Sequence, residues 1–357
     1  MSQSSFRKAK GWQMVAPEKE LVLAEYDLGE PGEKDVIVEV AGCGLCHTDM
    51  SFMFGGVKTR HELPLTLGHE VSGKVVDAGS KMTHLKGKMV VVPAVLPCGE
   101  CDLCKKGRGN VCRKQVMPGN DFHGGFANYM RVPGRFLSVV EDLKGFELPR
   151  LCVIADAVTT PLMAIKRAKV SKGDFVIFTG VGGIGGFGVQ IAAAYGAVVM
   201  ALDIDGKKLE KLSKHGASYT INVAGKDTKS IQKEVRDFAK KSNIPDYGWK
   251  IFETSGTSAG QDIAFSLLTF AGTLAVVGFT MDKVNIRLSN LMAFDADAFG
   301  IWGCLPEYYG EAISLVLERK INLEDFSEKY PMSKINEVIT MAKEHKLEKR
   351  AILVPDF

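Results

Sequence analysis

The sequence predicts an α/β chain of two domains, a strand-rich one interrupted by a doubly wound parallel sheet. Three observations carry this. The length, 357 residues, is well above the commonest domain size. The first 150 residues are short apolar runs punctuated by Gly and Pro. From about Thr159 the texture changes to near-continuous apolar strands alternating with helical segments, the pattern of a parallel sheet covered on both faces. The expected split is a first domain over residues 1–157, completed by 301–357, around a second over 158–300.

In chain order, strands are expected at Val36–Val40, Val71–Val76, Met89–Val92 and Tyr129–Val132 in the first part. In the second part they are expected at Phe175–Phe178, Val198–Leu202, Trp249–Phe252 and Thr273–Val277. Helices are expected at Gly186–Tyr195, Lys207–Lys214, Lys226–Lys241 and Gly260–Leu268, with one more at Tyr309–Glu318 before the apolar end Ala351-Ile-Leu-Val-Pro.

Composition narrows the function. With 46% hydrophobic and 24% charged residues the chain reads as globular, and 45 Lys and Arg against 42 Asp and Glu leave a net charge of only +3. No basic block is long enough to track a phosphate backbone, so nucleic acid is not an expected partner. The N-terminal Met1–Lys10 has charge but no apolar core behind it, which points to a cytoplasmic chain without a signal or anchor. The charge-free run Phe175–Leu202 exceeds the roughly 20 residues of a membrane helix, but its glycines divide it into strand, turn and helix, so no membrane is expected.

Four of the eight cysteines fall as Cys98-x2-Cys101-x2-Cys104-x7-Cys112, close enough for four thiolates to share one tetrahedral ion. Structural zinc is favoured, an iron–sulfur cluster is the rival, and paired disulfides suit a cytoplasmic chain poorly. Cys46 and His69 offer a second, wider donor pair of the kind zinc accepts at an open site, with Asp49 positioned to take the other ring N–H of the histidine. The run Phe175-Val-Ile-Phe-Thr-Gly180-Val-Gly182-Gly183-Ile184-Gly185 follows an apolar strand and opens a small-residue helix, and Asp203 ends the next strand. This is the Rossmann pattern: glycines for the tight turn and for pyrophosphate approach at a helix N-terminus, and a carboxylate for the adenosine ribose. That carboxylate repels a 2′-phosphate, which favours NAD over NADP.

These three pieces, in this order and spacing, resemble the zinc-dependent medium-chain alcohol dehydrogenase family across essentially the whole chain. The resemblance implies a GroES-like β-rich catalytic domain, a Rossmann domain binding NAD, a catalytic zinc in the cleft between them, and a second, structural zinc. It makes Cys46 and His69 catalytic ligands, with Glu70 close enough to exchange with substrate or water. Cys98, Cys101, Cys104 and Cys112 become the structural ligands. The family's third catalytic ligand is commonly a Cys near the domain junction. Here the matching segment, Asp156-Ala-Val-Thr-Thr-Pro, puts Asp156 in that slot, with Cys152 as the rival four residues earlier.

Thr48 keeps the hydroxyl of the family's proton relay, but the relay His position is Ser51, and His47 becomes a candidate for the cofactor phosphates. Lys349-Arg350-Ala-Ile-Leu-Val-Pro resembles a family segment whose Arg reaches the pyrophosphate; Arg350 either does so or is a solvated surface residue. The overall likeness and the junction segment also resemble a branch acting on an alicyclic hydroxyacyl-CoA. The implied partners are therefore a small-molecule substrate of that kind and further copies of the chain, as a dimer or tetramer. The competing readings are a dehydrogenase of simpler secondary alcohols or polyols, a zinc-free enoyl or quinone reductase, and a non-catalytic NAD- and zinc-binding redox sensor.

Overall fold

The computed structural model describes residues 8–357, so most of the N-terminal segment read above lies outside the described residues. Two compact units result. One comprises the chain up to Thr159 with Gly303–Leu317 and Leu323–Phe357, and the other Thr160–Trp302 with Glu318–Asn322.

The first unit begins with β1 (Lys8–Met14), β2 (Val22–Asp27), β3 (Asp35–Gly44), α1 (His47–Phe54), β4 (Leu65–Thr66), β5 (Glu70–Ala78), β6 (Met89–Val92), α2 (Asp102–Lys105), β7 (Tyr129–Pro133) and β8 (Ser138–Val140). Its spine is β3, apolar on both sides. Val36, Val38 and Val40 enter the large core with Val71, Val75, Val90 and Phe126, while Ile37 packs with Ala9 and Leu28. β3 runs antiparallel to β5 in a register that sets Gly44 opposite Glu70. After β8 the chain turns through a 3-10 segment, Leu148–Ala155, packed on β3, β5 and β6.

The second unit runs through α3 (Thr159–Arg167), β9 (Phe175–Thr179), α4 (Gly185–Ala194), β10 (Val198–Asp203), α5 (Gly206–Ser213), β11 (Tyr219–Asn222), α6 (Thr228–Lys241), β12 (Lys250–Glu253), α7 (Ser258–Ser266), β13 (Thr273–Val276), α8 (Ser289–Phe294) and β14 (Asp297–Gly300). Its six strands are all parallel, in the order β11-β10-β9-β12-β13-β14. This is the doubly wound dinucleotide-binding order, with its switch point between β9 and β12. The run Phe175–Leu202 forms buried β9, the glycine turn, α4 and β10. By length and composition Leu148–Arg167 could cross a bilayer, but 78% of its most apolar window is buried within the fold.

The tail returns to the first unit as α9 (Tyr309–Leu317), β15 (Ser327–Pro331), α10 (Ile335–Lys343) and β16 (Arg350–Val354), the last adding to β3 with Ile352 opposite Gly44. The first unit thus carries a seven-stranded sheet and a smaller one, β2-β1-β4. The GroES-like and Rossmann architecture is the one expected.

Candidate metal centres and dinucleotide loop

The register of three strands assembles the first site. β3 ends just before Cys46, β5 begins just after His69, and β16 begins at Arg350, so Gly44 is shared by the pairings that bring all three together. The 3-10 segment is pinned against the same strands, Ser72 Oγ donating to the Leu148 carbonyl at 2.6 Å. At its end the Ala155 carbonyl accepts bonds from Tyr309 and Thr159, and Asp156 follows.

Asp49 ties the two ligand loops. It occupies the third position of α1, and its carboxylate accepts from the backbone N–H of Cys46 at 3.0 Å and of Gly68 at 3.1 Å. It also faces His69 Nδ1 at 3.4 Å, an ion-pair separation. Gly68 sits at φ +92, where a Cβ would come within 2.7 Å of Cys43 Sγ and the Phe126 ring, so only glycine carries the chain into His69.

Cys46, His69, Glu70 and Asp156 each present a donor atom within 4.8 Å of the others. Asp156 Oδ2 lies 3.5 Å from Cys46 Sγ and 3.8 Å from His69 Nε2. Those are edge lengths of a tetrahedron built on bonds of about 2.0–2.3 Å, so the set fits a zinc ion. Electrostatics agree. Burial opposes charge on His69, but Asp49, Cys46 and Asp156 outweigh it and hold its pKa well above the ordinary value. Burial also lifts Glu70 to about 7 against the pull of Arg350, with Asp156 adding to the rise. A dication is what this excess of negative charge lacks.

Arg350 is not a solvated surface residue. Its side chain is 7% exposed and grips Glu70 with two bonds, Nε to Oε2 at 2.7 Å and Nη2 to Oε1. Sequence reasoning missed this partner, since nothing local links residues 280 positions apart. Cys152 is fully buried and outside the donor set. Were the segment α-helical, Cys152 would share a face with Asp156; its 3-10 path, at three residues per turn, rotates position i+4 away from position i. His47 is exposed, and Thr48 Oγ1 lies 3.8 Å from Cys46 Sγ. Ser51 Oγ donates to the His47 carbonyl.

The second centre is the cysteine loop. The sulfur separations, 3.8 Å for Cys98–Cys104, 3.5 Å for Cys101–Cys104 and 3.6 Å for Cys101–Cys112, are those of thiolates around one ion with bonds of about 2.3 Å, too close for a polynuclear cluster. All eight cysteines are free. A bond from the Glu100 backbone, the largest influence, holds the Cys98 thiol down to about 6, while burial, reinforced by its bond with Cys101, pushes Cys104 up to about 12. Four sulfurs this close cannot all ionise without a cation among them.

In the second unit Gly180 has φ +82 and a Cβ there would lie 2.6 Å from Ser255 N. A Cβ on Gly182 would stand in open space, the room a pyrophosphate needs, while Gly183 and Ile184 complete the turn. α4 then starts at Gly185 with no side chain capping it, the kind of helix N-terminus at which an anion is received. Asp203 closes β10, its Oδ2 accepting from Val181 N–H at 2.7 Å and its Oδ1 from Asp205 N–H at 2.9 Å.

Comparison with known proteins matches two families in succession along the chain. Residues 32–142 match the alcohol dehydrogenase GroES-like domain family and residues 183–318 the zinc-binding dehydrogenase family. The chain is 27% identical over 342 residues to an alcohol dehydrogenase of Geobacillus stearothermophilus, covering 95% of this chain and 97% of that one. To an L-threonine 3-dehydrogenase of Pyrococcus furiosus it is 28% identical over 314 residues, covering 86% and 87%. Among solved structures, galactitol-1-phosphate dehydrogenase from Escherichia coli superposes with a TM-score of 0.87 at 26% identity, covering 97% and 100%.

Proposed function

Because the chain belongs to the zinc-dependent medium-chain alcohol dehydrogenase family, an oxidoreductase family that oxidises alcohols, we propose that it oxidises a secondary alcohol to a ketone with NAD as acceptor. The substrate we assign is 6-hydroxycyclohex-1-ene-1-carbonyl-CoA, giving 6-oxocyclohex-1-ene-1-carbonyl-CoA in anaerobic benzoyl-CoA degradation. The observation that carries the dehydrogenase reading is the convergence of Cys46, His69 and Asp156. The acyl-CoA assignment is supported by the Asp156-Ala-Val-Thr-Thr-Pro junction. In this reading the protein works in the cytoplasm as a homo-oligomer, a dimer or tetramer.

Cys46 Sγ, His69 Nε2 and an Asp156 oxygen would hold one zinc, and the four-cysteine loop the other. When bound, the catalytic zinc supplies a Lewis acid that makes the alcohol proton easy to lose, and NAD supplies the hydride acceptor. In this reading Thr48 Oγ1, 3.8 Å from Cys46 Sγ, would receive that proton first. Ser51, where the family's relay has a histidine, spends its hydroxyl on the His47 carbonyl, so the proton must leave by another path. Arg350 restrains Glu70, and the Asp156 oxygen is a harder donor than the family's usual thiolate, which favours a more Lewis-acidic metal.

The test is NAD reduction by the purified protein over a panel of hydroxyacyl-CoA esters and free secondary alcohols and polyols. Turnover of the alicyclic ester at least tenfold above the free alcohols is expected. The reverse order would establish the second reading, a dehydrogenase of simple alcohols or polyols, which the likeness to threonine and galactitol-1-phosphate dehydrogenases favours. No turnover of any member would leave a binding protein and defeat both.

Asp203 sets the cofactor choice in this reading. Asp203→Ala is expected to weaken NAD binding roughly tenfold and narrow the preference over NADP, since the ribose acceptor and the repulsion of a 2′-phosphate disappear together. Dinucleotide titration of the two proteins decides, and a wild type that prefers NADP overturns the assignment.

A further inference from the structure

One peptide of the glycine turn, Gly180–Val181, is held on both sides by side chains from neighbouring strands. Its carbonyl accepts from Thr254 Oγ1 at 2.5 Å, and its N–H donates to Asp203 Oδ2 at 2.7 Å. Thr254 directly follows β12 and Asp203 closes β10, the two strands flanking β9, which leads into the turn. Thr254 is anchored in turn, its N–H donating to the Thr179 carbonyl at 2.9 Å. Behind it the fully buried Glu253 carboxylate locks the following loop, Oε1 accepting from Ser255 N–H at 2.8 Å, Ser255 Oγ at 2.5 Å and Gly256 N–H at 3.1 Å. The fit is close. A Cβ on Gly185 would come within 2.6 Å of Thr254 Oγ1.

We propose that Thr254 is a positioning residue for the dinucleotide. It clamps the Gly180–Val181 peptide against Asp203 so that the amides after it, through Gly182 and Gly183 to the start of α4, stay aimed at the pyrophosphate. The inference rests on the reading of this unit as an NAD-binding domain. It also gives Asp203 a second duty. The same carboxylate that faces the ribose orients the turn, so a change at Asp203 alters pyrophosphate binding as well as specificity.

A neutral hydrogen bond of this kind is worth a roughly three- to tenfold change in an equilibrium. NADH is the probe, titrated into the full chain by the fluorescence of the bound dinucleotide. Thr254→Val, which keeps the shape and removes the hydroxyl, is expected to raise the NADH Kd roughly three- to tenfold. KM for NAD should rise in step while kcat at saturating NAD changes far less, and Thr254→Ser should restore binding to within about twofold. Thr254→Ala serves as the second probe if the valine variant folds poorly.

Combined with Asp203→Asn, the Thr254→Val change should cost less than it does alone, because both act through one peptide. A valine or alanine variant that binds NADH as the wild type does overturns the clamp, and so do strictly additive effects. A wild-type chain that binds no NADH defeats the reading of the domain instead.

Discussion

Asp156→Ala is expected to lower turnover by at least about a hundredfold and to remove one of two zinc ions per chain, leaving the fold and the cysteine-loop zinc in place. Loss of a group that merely supports a metal ligand costs about 10–100-fold, so removal of a ligand itself should cost more. The substitution leaves Cys46 and His69, 3.5 and 3.8 Å from where the carboxylate stood, with only Glu70 nearby, whose carboxylate is already gripped by Arg350, a set poorer in free donors than the one the ion needs. Cys152→Ala is the matched control. Cys152 is fully buried and outside the donor set, so the variant should lose about 1 kcal/mol of stability and neither zinc nor kcat. Elemental analysis beside kcat reads both. If Cys152→Ala released a zinc while Asp156→Ala kept both, the ligand assignment and the Lewis-acidity argument built on it would fail together.

At the other centre, Cys101→Ser is expected to lower the unfolding temperature by on the order of 10 °C while the protein that remains folded keeps most of its turnover. Binding of zinc to a closed four-thiolate site is folding free energy, of order 10 kcal/mol in isolated zinc fingers, and part of that is lost when one thiolate is removed. Cys101 is central to the cluster, 3.5 Å from Cys104 and 3.6 Å from Cys112, so the geometry cannot close around three sulfurs. Zinc should fall from two ions per chain to one. A variant with unchanged thermal stability that loses only activity would show the loop to be part of the chemistry.

The sequence by itself determined much of what is local. Four cysteines within fifteen positions and a glycine turn between an apolar strand and a helix were legible because their ligands meet with little help from the rest of the chain. The buried parallel strands were legible for a related reason: a strand covered on both faces is an unbroken apolar run, and Phe175–Phe178 and Val198–Leu202 read that way.

The strands that escaped, among them Tyr219–Asn222, Asp297–Gly300 and Ser327–Pro331, stand at or near sheet edges with polar residues in them, and what makes them strands is the neighbour they bond to. The helix His47–Phe54 escaped too, although Cys46 followed by Asp49 at the third helical position was the capping signal that could have revealed it.

Only the tertiary structure decided how the distant residues combine. Antiparallel register brings Glu70 to Gly44 and β16 brings Arg350 to Glu70, across a separation no spacing rule spans. A 3-10 rather than α-helical path separates Asp156 from Cys152. The partners of the glycine turn belong here as well. Thr254 and Asp203 share the Gly180–Val181 peptide because parallel pairing places the ends of β12 and β10 on either side of β9, and hydrogen bonds between residues so far apart exist only once the sheet has formed.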